Sequence, residues 1–209
     1  KVRVPRALAI FNGGNALATV VAAPLGSYLG GSIGWRGAFL CLVPVALLAL
    51  AWQWFSLPSM PAVPRVAASG NVFKLLRNRL VALGMLAVGM FFMGQFVLFT
   101  YVRPFLESVT RVGLPTLSMI LLVIGLAGVV GTALIGTFLR RGLYRTLVAI
   151  PLLMAVIALC LVAFGGEVLP VFVLLGLWGM LATAAPTGWW SWLAQVLPGD
   201  AEAGGGLMV

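Results

Sequence analysis

Histidine is absent from this chain, and only four of its 209 residues are acidic. Both shortages exclude chemistry. Without histidine there is no imidazole to serve as general base or metal ligand. Cysteine is scarce too: Cys41 and Cys160 lie in separate apolar runs with no metal-ligating neighbour. They read as small buried hydrophobes. The acidic residues Glu107, Glu167, Asp200 and Glu202 all fall outside the long apolar runs. No carboxylate pair, nucleophile–base pair or metal cluster can therefore be assembled within those runs, and an enzyme is not expected.

What remains is apolar. Six stretches contain no Asp, Glu, Lys or Arg: 7–35, 37–64, 80–102, 112–139, 146–166 and 168–199. A helix needs about 20 residues to cross a bilayer, and every stretch is that long. A seventh stretch opens at Ala203 and runs to Val209. The runs are continuous rather than alternating, which excludes a membrane β-barrel. Their glycines and prolines are tolerated in membrane helices, where neighbours satisfy the freed backbone groups. The expected fold class is all-α transmembrane, with six complete spans and the start of a seventh. The chain opens at Lys1 rather than Met and stops inside an apolar run, so an internal piece of a longer protein is expected.

The net charge of +9 is topological. If successive spans alternate direction, one side carries Lys1, Arg3, Arg6, Arg65, Lys74, Arg77, Arg79, Arg140, Arg141 and Arg145. The other side carries Arg36, Arg103 and Arg111. This bias places the first set in the cytoplasm and makes a nucleic-acid partner unexpected. Loops 1–6, 57–79, 140–145 and 196–203 are then cytoplasmic, in a multi-pass membrane protein.

The first helix is expected from about Ala7 to Leu29, with a tight outer turn at 30–36 and a return helix to Ser56. Trp52 and Trp54 mark its cytoplasmic end. Residues 57–79 differ in kind. Pro58, Pro61 and Pro64 enforce an extended start, and Asn71 can cap a short basic amphipathic helix over Val72–Arg79. Later spans are expected at about 80–102, 115–138, 146–165 and 170–193. The organisation read from this is 1–56 as the last two helices of one bundle, 57–79 as a linker, and 80–209 as a second bundle.

Two patterns stand out. Gly14, Ala18, Ala22, Gly26 and Gly30 recur every four residues, a nearly bare ridge along which another helix can approach closely. Pro24 lies within it, so a bend is expected there. Gly128, Thr132 and Gly136 repeat the device. The plain reading is close packing; the sharper one is a sealing surface between two mobile bundles.

The segment Ala23-Pro24-Leu25-Gly26-Ser27-Tyr28-Leu29-Gly30, continuing to Gly34-Trp35-Arg36, resembles the fifth helix of the major facilitator superfamily. It is similar to the antiporter motif of the drug:proton antiporter branch. Gln95-Phe96, Phe99-Thr100-Tyr101 and Arg103-Pro104 resemble the outer end of helix seven in sugar and nucleoside efflux members. Pro186-Thr187-Gly188-Trp189 with Ser191-Trp192 is similar to helix ten of bacterial purine ribonucleoside efflux pumps. The chain departs from the pattern at Ala23, at Ser27 and Tyr28, and at Arg140, which stands where a loop motif has an acidic residue.

The resemblance implies a partial bundle, helices five to eleven, of a secondary efflux transporter working by alternating access. It would export purine ribonucleosides by proton antiport, with no cofactor beyond the coupling proton. Multidrug or sugar efflux is the alternative within the fold, and a non-transporting scaffold or receptor the alternative outside it. Partners would be the small solute, the lipid bilayer, and helices one to four, eleven and twelve of the same protein; a monomer is expected. The coupling carboxylate would lie in helices one to four.

The resemblance also implies that helices seven and ten line the cavity while five and eight meet between bundles. Candidate solute contacts are Gln95 with Phe91 and Phe99 a turn away on either side, Thr100, Tyr101, Trp178, Thr183, Thr187, Asn12 and Asn15. Rings can stack on a purine while the amide offers donor and acceptor; the competing role of Gln95 is an interhelical hydrogen bond. Gly179, Thr183, Thr187 and Ser191 form one small, hydroxyl-bearing stripe. Trp189, Trp190 and Trp192 read as an interfacial belt. Arg103 and Glu107 read as a surface ion pair, with an outer-gate latch as the alternative.

Overall fold

The computed structural model describes residues 3–57, 72–198 and 204–206, with the side chains of 3–16, 19, 72 and 73 excepted. The described residues are almost entirely helical, with no strand among them. Five helices carry segments long and apolar enough to cross a membrane. They are α1 (Arg3–Ser56), α2 (Arg79–Ser108), α3 (Leu114–Arg141), α4 (Leu143–Phe164) and α5 (Val168–Val196).

The expected outer turn at 30–36 contracts to one residue. Gly34, with φ 78° and ψ 164°, is the single departure from helical backbone within α1. Glycine has no Cβ to penalise positive φ, so one residue breaks the helix where a longer turn was expected. Pro24 and Pro44 sit in backbone that stays helical, so the break falls at Gly34 and not at Pro24. Residues 35–56 are exposed along nearly their whole length, up to Trp54 at 81% and Phe55 at 86%.

The proline-rich residues 58–71, with Asn71, lie outside the described residues. The end of this segment is a 3-10 helix, Val72–Arg77, rather than an α-helix to Arg79. The cap that forms is made by Asn78, whose Oδ1 accepts from the Leu80 N–H at 3.0 Å and starts α2. α2 runs past its expected end to Ser108, with Pro104 inside it.

α5 is the centre of the fold, packed on α3, α4 and more sparsely α2, while α3 carries α1 on another side. Where α5 meets α3 the backbones nearly touch. A Cβ at Gly131 would collide with the Met180 carbonyl, one at Gly179 with the Ile124 carbonyl, and one at Gly128 with the Thr183 side chain. In lipid, van der Waals contact of this kind replaces the missing hydrophobic drive between helices. A second tie joins the helix ends: the buried Thr110 hydroxyl, in the turn after α2, donates to the Gly165 carbonyl after α4 at 2.8 Å.

Candidate solute-contact site between α2 and α5

The face of α2 that meets α5 carries Gly84, Val88, Phe91, Gln95, Phe99, Val102 and Leu106, a heptad-like spacing that keeps them on one side of the helix. Opposite them the antiparallel α5 presents Trp192, Trp189, Ala182 and Trp178. Phe99 stacks on Trp178, with centroids 6.3 Å apart and planes at 14°. Phe91 meets Trp189 at 6.2 Å and a 49° tilt. Between the two ring pairs, Gln95 Nε2 donates to the Ala182 carbonyl at 3.4 Å. Its Oε1 is buried with no hydrogen-bond partner among the described residues. The rings flanking Gln95 thus already engage rings of α5, and the amide has one committed end and one idle end.

Several sequence candidates fall elsewhere. Thr100 and Tyr101 lie off the α5-facing side of α2, because 100° per residue turns them away from Gln95. Tyr101 instead lines an apolar groove of about 390 Å³ with Val102, Phe105, Leu161 and Leu175. A second apolar groove, of about 580 Å³, is lined by Gly84, Phe91, Leu147, Trp189 and Trp192. Gln95 lines neither.

Thr183 and Thr187 are exposed on α5, with Thr183 against Gly128 of α3. Ser191 spends its hydroxyl on its own helix, donating to the Thr187 carbonyl at 2.7 Å. Gly179 packs against α3, so the expected polar stripe is partly a helix contact. Asn12, Gly14 and Asn15 lie outside the residues whose side-chain surroundings are described.

The expected belt is also revised. Trp189 and Trp192 are 8% and 3% exposed, packed edge to face at 6.1 Å inside the bundle; only Trp190 faces out, at 47%. Gly84 makes this fit, since a Cβ there would occupy the Trp192 ring. Glycine on the facing helix was the available sequence signal.

The small-residue ridges sit differently from their expected surface. α1 meets α3 through Val20, Ala23, Ser27 and Gly31. A Cβ on Gly125 would lie 2.8 Å from Val20 Cα, and one on Gly31 would lie 2.7 Å from Leu114 Cδ2. A four-residue repeat drifts about 40° per step on a helix of 3.6 residues per turn. From Ala18 to Gly30 the ridge therefore winds away from this seam: Ala18 and Ala22 are exposed, and Gly26 and Gly30 have nothing beside them among the described residues. Gly128 and Thr132 turn to α5 rather than α1. The Thr132 hydroxyl donates its one proton to Gly128 O at 3.0 Å, with Thr183 O 3.4 Å away, while Gly136 has nothing beside it among the described residues.

Antiparallel register along the α1–α3 seam brings Ser27 level with Ser118. Both hydroxyls are buried and unpartnered. At the far end of α2, Arg103 Nε donates to Glu107 Oε1 at 2.8 Å across one exposed turn.

Comparison with known proteins fits this architecture. The Major Facilitator Superfamily sequence profile matches residues 1–209. A Pseudomonas aeruginosa protein named transcription regulatory protein OpdE is 66% identical over 209 residues, covering 99% of this chain and 52% of the relative. The purine ribonucleoside efflux pump NepI of Salmonella paratyphi B is 38% identical over 206 residues, and that of Salmonella typhimurium 37%; each match covers 99% of this chain and 52% of the relative. The chain thus spans about half the length of the curated relatives it matches. On the profile match, the resemblance and the apolar helices together, it belongs to the Major Facilitator Superfamily, a family of multi-pass membrane transporters.

Proposed function

We propose that this chain is part of a secondary transporter that exports purine ribonucleosides by proton antiport with alternating access. The observation that carries the reading is the Gln95 amide, held between two aromatic pairs with a buried, idle acceptor. Aromatic faces suit a flat base, and an amide oxygen suits its N–H edge. The name of the 38% relative points the same way.

In this reading residues 1–56 and 80–209 belong to two bundles joined by 57–79, and the α1–α3 seam lies between them. The protein sits in the bacterial inner membrane with its arginine-rich loops inside. The charge-free spans hold no carboxylate, so the coupling group is expected outside these residues. Proteoliposomes containing the intact transporter, given an inward proton gradient, should exchange protons for labelled inosine or adenosine. Unlabelled sugars or lipophilic cations should not compete. Competition by those solutes in place of nucleosides would overturn the substrate; exchange without a proton gradient would overturn the coupling.

The name of the 66% relative supports a second reading, an influence on transcription. A transporter that sets the level of an inducing solute alters expression without touching DNA. A variant that abolishes transport yet leaves expression unaffected would separate the two readings.

A further inference from the structure

Pro186 lies inside α5 and has no N–H to give the carbonyl four residues earlier. That carbonyl is Ala182, the one Gln95 bonds. The one carbonyl that Pro186 leaves without its helical partner is thus held from a neighbouring helix. A carbonyl can only accept, so the Gln95 amide must turn its nitrogen toward Ala182. Its oxygen is left as the buried atom without a partner.

We infer that Pro186 sets the polarity of Gln95, making it a contact that selects solutes by a hydrogen-bond donor. The inference rests on the nucleoside reading and sharpens it. The amide does not offer its two ends equally: Nε2 closes the gap in α5, and Oε1 alone waits for an N–H or O–H. A base with a ring N–H or an amino group satisfies it. A base carrying only ring acceptors leaves two acceptors facing each other, a buried mismatch that costs affinity. Pro186 is a positioning residue here, acting through Gln95.

The test compares inosine with purine riboside, which keeps the sugar and the ring nitrogens but has no N–H on its base. In the intact transporter, inosine should be preferred by about ten-fold or more. Gln95→Met should bring inosine down to the purine riboside level. Pro186→Ala should also shrink the preference, because the substitution restores a backbone N–H to the Ala182 carbonyl and frees the amide to rotate. An undiminished preference in Gln95→Met, or equal handling of both solutes by the unaltered protein, overturns donor selection.

Thermal unfolding supplies a second readout that does not depend on the substrate. Gln95→Met should lower the melting temperature in the unaltered protein and leave it nearly unchanged in the Pro186→Ala background. Equal losses in both backgrounds overturn the coupling. Failure to carry either nucleoside defeats the nucleoside reading and donor selection with it, while the melting cycle still decides whether Pro186 and Gln95 act together.

Discussion

α5 has two seams built on opposite plans. Against α3 it is built on glycines, with Gly131 and Gly179 set against carbonyls of the facing helix and Gly128 against the Thr183 side chain. Against α2 it is side chain to side chain: two ring pairs, one amide at 3.4 Å, and apolar grooves alongside. Backbone contacts cannot adjust without moving a helix, whereas rings and an amide reposition by changing rotamer. The first seam holds α5 in place; the second can repack.

The largest expected effect comes from breaking the rigid seam. Gly131→Ala should destabilise by about 1–3 kcal/mol, because its Cβ meets a carbonyl. Gly136→Ala, one face away with open space beside it, should cost nothing and gain slightly from helix propensity. Thermal melting in detergent compares the pair; equal gains would mean that helix propensity rather than contact sets stability. A smaller effect is expected at the adjustable seam. Phe99→Leu keeps the bulk but loses the stack on Trp178, about 0.5–1.5 kcal/mol, and should weaken nucleoside affinity more than it lowers the melting temperature. An effect on melting alone would make the ring pair a packing element.

The smallest effect is expected at the exposed end of α2. Exchanging Arg103 and Glu107 puts the acid N-terminal to the base, the better order on a helix, with the cation nearer the C-terminus. Stability should change by less than about 0.5 kcal/mol. Transport should be unaffected, and a large loss would revive an outer latch.

Much of the fold was legible because charge is expensive in lipid: from Leu114 on, the charge-free runs coincide with the helices to within a few residues, while α2 extends past its run through Pro104 and the first two runs share α1, which ends at Ser56. Helix faces were harder. A repeat of four marks the ridge from Gly14 to Gly30, but the seam uses Val20, Ala23, Ser27 and Gly31, and small residues alone do not say which side has a neighbour. The Trp189–Trp192 cluster misled for a related reason: tryptophans near a helix end fit a membrane belt until Gly84 on another helix makes room for them. Gln95 stood out as the lone amide of its span. Its bond to Ala182 followed from Pro186, four residues on, once the two helices were known to face each other.

The idle hydroxyls of Ser27 and Ser118 give the α1–α3 contact an unusual response to water. A dry apolar seam gains nothing when it is wetted. Here neither serine hydroxyl has a protein partner among the described residues, and a buried hydroxyl without one costs about 1–3 kcal/mol that a water can offset. Hydration would therefore return part of the cost of parting the helices. A joint built this way closes readily without locking.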